Sequence, residues 1–409
     1  MKRVVVTGMA GFTGLGSDWA DIRAAMGAGQ SAVRHMAEWS DIKGLNSLLG
    51  APVSDFALPE HFTRVKTRTM GRNAKLAVRA SELALERAGL GDPEFLHSGR
   101  MGVSYGSSSG SSDALAEMAP ILLSRSARKI NATSYVRLMS HTAAANISLF
   151  FRLKGRVIPT ISACTAGSQG IGYGYEAIKF GLQDIMLAGG SEELCPSHAG
   201  VFDILYATST RNEAPGTTPR PFDVDRDGLV VGEGSATLVL EEYEHARERG
   251  ADIHAELVGF ATNADGDHIT RPNSQSMARV MRMALEDAGL QPADIGYVSA
   301  HGTATLAGDI AESQATQEVF GQGAPVSSIK GYLGHTLGAC GAIEAWLGIR
   351  MMNDGWFAAN MNLDQVDPEC GDLDYIRGEP RQKDVAYIMS NNFAFGGINT
   401  SLVFRRIDG

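Results

Sequence analysis

Long apolar runs are missing from this 409-residue chain. The longest uncharged stretch, Val157 to Tyr175, is full of Ser, Thr, Gly and Gln, so it does not read as a membrane span. The opening Met1-Lys2-Arg3-Val4-Val5-Val6-Thr7-Gly8 offers three apolar residues before Thr-Gly, too few for a signal-peptide core. Cysteine is scarce: four residues do not make a disulfide framework. Positive charge is in deficit, with 36 Lys and Arg against 46 Asp and Glu, a net charge of −10 and a pI near 5.5. That argues against nucleic acid as a partner of the whole chain. At 44% apolar and 20% charged the chain is of ordinary globular composition, which excludes general disorder. Glycine is the one excess, with 48 residues, above the usual share of about 7%. It follows no three-residue period, so many tight turns are expected rather than a collagen helix. The expectation is a cytoplasmic enzyme of two to four packing units, at roughly 100–200 residues per unit.

The chain echoes itself. Ala84-Leu85-Glu86-Arg87-Ala88-Gly89-Leu90 returns as Ala284-Leu285-Glu286-Asp287-Ala288-Gly289-Leu290. Each copy ends a helix-like segment at Gly, a normal C-terminal stop. Each is followed by a strand-like run, Met101–Tyr105 and Ile295–Val298, and then by a turn, Gly106-Ser107-Ser108-Ser109-Gly110 and His301-Gly302-Thr303-Ala304-Thr305. A second pair agrees. The strand Val157–Ala163 turns at Cys164 into a helix reaching about Phe180; Pro325–Ile329 passes through a turn at 330–337 into a helix from Ala339 to Met352. Strands alternating with helices predict an α/β fold with layered sheets. Two similar halves are expected, 1–250 and 251–409, breaking near Gly250.

The reactive residue types fall at these turns. Cys164 lies in Ser162-Ala163-Cys164-Thr165-Ala166-Gly167, where small neighbours leave its sulfur reachable. A helix start there would favour thiolate and make Cys164 more reactive than Cys195, Cys340 and Cys370, which read as structural. An ordinary buried thiol is the alternative. His301 and His335 sit in glycine-rich turns after strand-like runs, where a hydrogen-bonded turn histidine is the plain reading. A thiol with two imidazoles suits acyl transfer, as a nucleophile and donors for a developing oxyanion or enolate. No Cys–His spacing matches a zinc site, and no metal is expected. Lys330 follows an apolar strand. Asp309 and Glu312 share a helix face at i and i+3 and could hold a buried Lys, or form a surface pair. Phe393-Ala394-Phe395-Gly396-Gly397-Ile398-Asn399 reads as a pocket gate or as a turn between core strands. Five basic residues and no acid lie between Arg64 and Lys75, including Lys66 and Arg68; Arg125, Arg128 and Lys129 form a second basic cluster. In an acidic chain such segregation suggests docking of an acidic partner, or a solvated helix face.

Together these segments resemble the elongating β-ketoacyl-[acyl carrier protein] synthases of the thiolase superfamily, over essentially the whole chain. The resemblance rests on the Cys164 elbow, His301-Gly302-Thr303 with Thr305 and Gly308-Asp309, Lys330 with Gly334-His335, Arg220-Pro221-Phe222-Asp223, and Phe395-Gly396-Gly397 with Asn399. It implies a duplicated αβαβα layered fold, a dimer, and decarboxylative condensation of a Cys164-bound acyl group with malonyl-acyl carrier protein. His301 and His335 would polarise the malonyl thioester. The N–H groups of Cys164 and Phe395 would form the oxyanion hole. Lys330, with Asp309, Glu312 and Glu344, would organise the site electrostatically. Thr303 and Thr305 match phosphopantetheine contacts, Phe395 the gate, and Ser109, Phe202 and Phe393 further substrate contacts. Arg64, Lys66, Arg68, Arg128 and Lys129 would dock the carrier protein. Substrates would arrive on the carrier's phosphopantetheine arm, with no other cofactor. The partner subunit would be a second copy, or a chain-length-factor-like protein.

Several positions depart from the family pattern: Ala394 and Ile398 in the gate loop, Gly331 after Lys330, Leu306, Leu229, Tyr206 for a docking Arg, and Ser299 where some members bind a cation. Ser109 falls where a bulkier residue often closes the acyl tunnel. A specialised polyketide or aryl-polyene pathway is therefore as open as fatty-acid elongation. Two other readings remain beside the synthase: a silent chain-length-factor-like subunit, which Cys164 speaks against, and a Cys-His thioester hydrolase.

Overall fold

The computed structural model describes residues 1–407; among them, ten strands in two sets of five carry the molecule, with a short eleventh, Asp374–Tyr375, added at one edge of the same sheet. The first set is β1 (Val4–Phe12), β2 (Met101–Gly106), β3 (Val157–Thr160), β4 (Ile185–Glu192) and β5 (Gly234–Glu242). The second is β6 (Ala255–Ala264), β7 (Tyr297–Ser299), β8 (Pro325–Ser327), β9 (Tyr387–Ala394) and β10 (Ile398–Arg405). Their spatial orders are β1-β5-β4-β2-β3 and β6-β10-β9-β7-β8, the same path traced twice. The pairing sense is repeated too: two antiparallel joints, then two parallel ones. The two sets meet edge to edge where Val4–Val6 of β1 pair with Ala255–Leu257 of β6. Gly250 lies in the connection between them.

Helices fill the space in layers. Ala166–Lys179 and Cys340–Asp354 pack against each other in the centre, between the two sets of strands. Burial on all sides suits their composition of Gly, Ala and apolar residues. Arg72–Ala88 and Thr142–Phe151 cover the outer face of the first set; Ser274–Ala288 and Leu306–Phe320 cover that of the second. This is the expected αβαβα arrangement. The echo seen in sequence has a steric cause. A Cβ on Gly8 would lie 2.3 Å from Ala84 O, and one on Gly259 would lie 2.4 Å from Ala284 O. Each outer helix therefore approaches its strand at glycine, on its own small residues. Both helices stop at a left-handed glycine, Gly89 and Gly289. Some boundaries differ from expectation. Lys330–Leu333 is a short helix rather than a turn, because Ile329 O and Lys330 O take N–H bonds from Leu333 and Gly334. Among the described residues no helix is long and apolar enough to cross a membrane.

Candidate active site

The first half supplies the thiol. β3 leads through Ile161 and Ser162 into one tight turn, Ala163–Thr165, and then into the central helix. Ala163 has φ +50°, left-handed backbone that costs an L-residue roughly 1–2 kcal/mol and is tolerable with a single methyl side chain. The Thr165 hydroxyl donates to Ser162 O at 2.8 Å and its N–H to the same oxygen at 3.1 Å, which holds the turn. Gly106 lets the central helix come close, since its Cβ would fall 2.3 Å from Ala166 O. Cys164 is buried, and burial pushes its thiol up to about 11. Lys330 and the N–H groups of Phe395 and Cys164 pull the other way without prevailing. The acidic thiol expected from sequence is thus corrected: desolvation of the anion outweighs the helix start.

The second half delivers the imidazoles. His335 Nε2 lies 3.0 Å from Cys164 Sγ, and its ring stands nearly perpendicular to that of His301 at 5.1 Å between centroids. Its backbone N–H donates to Val230 O at 2.7 Å, and its buried Nδ1 has no partner among the described residues. His301 is fixed more tightly. Lys330 Nζ lies 3.2 Å and Asn392 Nδ2 3.3 Å from His301 Nδ1. Both are donors, so Nδ1 must accept and Nε2 must carry the proton. Burial, reinforced by Lys330, holds both imidazoles well below their ordinary value, hence neutral. Atoms of Cys164, His301 and His335 lie within 4.8 Å of one another, close enough for a soft cation. The N–H that His301 presents suits a developing oxyanion better than a metal.

Lys330 is fully buried, yet Glu344 beside it raises its hold on the proton against the cost of burial. It also donates to His301 O at 2.5 Å. Glu344 receives Asn392 Nδ2 at 2.6 Å. Asp309 and Glu312 make no hydrogen bond to Lys330, although the charge of Glu312 adds to its hold on the proton. Glu312 accepts the N–H groups of His301 and Gly302 at 2.6 and 2.7 Å. Asp309 accepts those of Thr303 and Ala304, each at 3.1 Å, and of Phe222 at 2.7 Å. The two carboxylates therefore clamp the backbone that carries His301. Burial pushes Glu312 up to about 8 and Asp309 up to about 6. Fully buried Arg226 braces the next turn through Leu306 O at 2.9 Å and Asp367 at 2.6 Å.

A cavity of about 340 Å³ reaches down to Cys164, His301 and His335. Phe202, Phe393, Phe395, Thr303 and Thr305 line it as well. The Phe395 N–H points at the Cys164 sulfur, and its ring lies 5.2 Å from that of Phe202. The 393–399 segment is both things it was read as: the hairpin turn between β9 and β10, and a wall of the cavity. Ser109 lies outside the lining. It is half-buried, and its hydroxyl meets His198 Nε2 at 3.0 Å. Arg64, Lys66, Arg68, Arg128 and Lys129 are all exposed, and none pairs with a carboxylate among the described residues. Sequence reading missed Asn392, whose signal is a polar side chain inside a buried strand. It also set aside Cys340, whose thiol donates to Cys164 O at 3.2 Å.

At the mouth, Tyr206 follows the helix Pro196–Ile204 with φ +54°, a position where a helix usually ends in glycine. Its backbone is held by Tyr206 N–H to Asp203 O at 3.0 Å and Ala207 N–H to Phe202 O at 2.9 Å. For a bulky residue that strain is roughly 1–2 kcal/mol.

Comparison with known proteins agrees with this geometry. Residues 1–246 match the model of the beta-ketoacyl synthase N-terminal domain, and residues 254–364 that of the C-terminal domain. The 3-oxoacyl-[acyl-carrier-protein] synthase 2 of Vibrio harveyi is 36% identical over 99% of both chains. The crystal structure of a beta-ketoacyl synthase from Burkholderia phymatum superposes with a TM-score of 0.99 and 59% identity over the whole of both chains. A ketosynthase solved in complex with its type II polyketide acyl-carrier protein gives 0.88 and 31%, again over both chains entire. The chain belongs to the beta-ketoacyl synthase family.

Proposed function

We propose that this β-ketoacyl-[acyl carrier protein] synthase uses Cys164, His301, His335 and Phe395 in two stages. In the first, Cys164 Sγ attacks the carbonyl of an acyl-carrier thioester. His335 Nε2, 3.0 Å away, takes the thiol proton. The oxyanion rests on the N–H groups of Cys164 and Phe395. The carbon–sulfur bond to the carrier then breaks, and His335 returns the proton to the departing thiol. In the second, malonyl-carrier protein enters with Thr303 and Thr305 along its arm. The carboxylate–Cα bond breaks, CO2 leaves, and the electron pair becomes an enolate. His301 Nε2–H donates to the enolate oxygen, with His335 beside it. The enolate carbon attacks the Cys164 thioester; its carbon–sulfur bond breaks, a β-ketoacyl thioester two carbons longer departs, and the Cys164 thiolate takes up one proton from solvent to restore the thiol. Because His335 Nδ1 has no hydrogen-bond partner among the described residues, no such bond ties the ring to one tautomer, and it can accept in the first stage and donate in the second. No cofactor enters beyond the carrier's own arm.

The observation that carries this reading is the setting of His301. Two donors on Nδ1 leave it a neutral donor, which suits an enolate and not a base that would activate water. A hydrolase would release free acid. Intact-mass measurement of Cys164 after exposure to acyl-carrier protein, then to malonyl-carrier protein, separates the two. Acylation followed by a β-keto thioester and CO2 is expected; free acid, or condensation surviving Cys164→Ala, overturns the mechanism.

The acyl-carrier protein is the natural partner of such an enzyme. A second copy fits the edge strand β3, whose Val157 is exposed, together with exposed Leu122, Leu123, Tyr135 and Leu149 nearby in the chain. Native mass spectrometry distinguishes this homodimer from a pairing with a chain-length-factor-like subunit. Work in the cytoplasm follows from the reaction's soluble partner.

A further inference from the structure

Far from the cavity, Arg350 is a half-buried cation without an acceptor. It lies near the end of the central helix Cys340–Asp354, and its Nε is closed off from water with no hydrogen-bond partner among the described residues. Its guanidinium forms no ion pair among them either. Buried donors on a charged group are normally paired, because leaving them bare costs more than an ordinary hydrogen bond gains. Two carboxylates act on Arg350 through their charge, Asp354 and Asp18, but both are engaged elsewhere. Asp354 accepts from Arg23 at 2.7 Å and from Trp19 Nε1 at 2.9 Å; Asp18 caps its own helix through Ala20 N–H at 2.9 Å.

The other neighbours are cations or can become so. β1 runs on past its short pairing with β6, and three elements meet at the edge left open. From the outer helix Arg72–Ala88, exposed Arg87 donates to Met9 O of β1 at 2.7 Å and pairs with no carboxylate among the described residues. His254, just before β6, donates its backbone N–H to Val6 O at 2.9 Å. Its carbonyl accepts from Asn353 Nδ2, three residues on from Arg350, at 3.0 Å. Burial and then the charge of Arg350 hold the His254 imidazole below its ordinary value; Arg87 adds to this and Asp252 opposes it. Burial and then Arg87 act on Arg350 in the same sense. The three side chains thus feel one another's charge, and none is bonded to a carboxylate. Such an arrangement is unfavourable when empty and favourable around an anion. Two guanidinium forks and an imidazole are the donor set that fits phosphate.

We propose that Arg350, Arg87 and His254 form a binding site for a phosphate-class oxyanion at the open edge of β1. The site is separate from the catalytic centre and does not depend on the ketosynthase reading. Arg350 stands ten residues along its helix from Cys340, roughly 15 Å at 1.5 Å per residue. Free phosphate and the phosphoryl group of a monoester share the required chemistry, and the experiment tells them apart.

Inorganic phosphate and phenyl phosphate are titrated separately against the full-length wild type, Arg350→Met and Arg87→Met, with ionic strength held constant by chloride and Tm as the readout. The wild-type Tm should rise with added oxyanion, and Arg350→Met should need at least about tenfold more for the same rise. Arg87→Met should weaken binding in the same direction. Broadening of the phosphorus NMR line of phosphate by wild type should be lost with Arg350→Met. In chloride alone Arg350→Met should melt no lower than wild type, because a bare buried charge has been removed. Tighter binding of phenyl phosphate than of phosphate supports the site as one for a phosphoryl group on a larger molecule; the reverse supports it as one for the free ion. A wild-type Tm indifferent to both, or the same dependence in wild type and Arg350→Met, overturns the proposal. So does a lower Tm of Arg350→Met in chloride alone, which would make Arg350 a structural partner of Asp354 and Asp18.

Discussion

Replacing Lys330 with Met should separate the stability of the buried charge cluster from its chemistry. The ammonium bonds to Glu344, to His301 O at 2.5 Å and to His301 Nδ1 at 3.2 Å, all out of water. Lys330→Met leaves the Glu344 carboxylate buried with Asn392 as its remaining donor. Removing one partner of a buried ion pair costs roughly 3–5 kcal/mol. At about 2.1 cal/mol/K per residue, a chain of this length unfolds with an entropy near 0.9 kcal/mol/K, so Tm should fall by about 3–6 °C. The chemistry suffers differently. Without Lys330, only Asn392 at 3.3 Å keeps His301 Nδ1 as an acceptor, and the Nε2–H that faces the enolate is no longer enforced. Loss of one such donor costs roughly 10²–10³-fold in rate. Adding Glu344→Gln removes the stranded charge while still accepting from Asn392. The double variant should therefore recover most of the lost Tm and none of the lost malonyl decarboxylation. Calorimetry and CO2 release measure the two. A double variant that stays as unstable as the single one, or that regains activity along with stability, would refute the assignment of Lys330 as the residue that sets the His301 tautomer.

The remaining expectations are shorter. His335→Ala should slow Cys164 acylation, by removing the proton acceptor, and slow decarboxylation more steeply, whereas His301→Ala should spare acylation; mass spectrometry and CO2 release read the two steps, and equal losses in both variants would merge their roles. Burial raises Glu312 from the ordinary carboxylate value to about 8. The fold therefore favours its neutral form, and stability present at low pH drains as pH rises toward 8. Glu312→Gln should flatten the Tm curve between about pH 5 and 8, and an unchanged slope would show that Glu312 does not titrate there. Lys66→Glu with Arg68→Glu should raise the KM for carrier-bound substrate more in low salt than in high salt; a salt-independent rise would mean the two side chains act by contact, as Lys66 does where it lies 5.1 Å over the Phe150 ring.

How much of this was legible beforehand depends on whether a feature is written in neighbouring residues. The duplication was, because the steric demand of a helix lying on a strand repeats as Ala, Ala and a stopping Gly at 84–89 and 284–289. The elbow at Cys164 was, because only small residues allow a strand to turn directly into a helix. The acidity of Cys164 was not: a thiol's hold on its proton depends on water, and burial comes from the other half of the chain. The spacing of Asp309 and Glu312 showed one helix face but not its partner, since backbone N–H groups leave no trace in sequence. The placement of Ser109 depended on how one loop turns, and here it turns its hydroxyl to His198 rather than into the cavity. Asn392 stood in plain view, yet a polar residue in a strand announces burial only once the strand is known to be central.

The duplication also explains why there is one site and not two. Each half has an elbow with a left-handed residue at its start, Ala163 with φ +50° and Leu337 with φ +47°. The residue after each is Cys164 in the first half and Gly338 in the second. The elbows are served crosswise. Cys164 of the first half receives His301, His335 and the Phe395 N–H from the second; Gly338 of the second half receives Glu192 from the first, 3.1 Å from its N–H. Aligned on Gly102, at the start of β2, and Gly296, just before β7, Ser107 stands where the other half has His301. At the second elbow Ser108 N–H also binds Glu192, at 2.7 Å, and a Cβ on Gly338 would fall 2.5 Å from Ser108 N and 2.7 Å from Glu192 Oε2. No side chain fits there, so no nucleophile can. One elbow keeps its thiol at the floor of a cavity, and the other has collapsed onto a buried carboxylate that ties the loop of the first half to the central helix of the second. The collapsed copy is thus part of how the active one is held: its turn packs against the turn that carries Cys164 and joins the halves across which the thiol and its two imidazoles must meet.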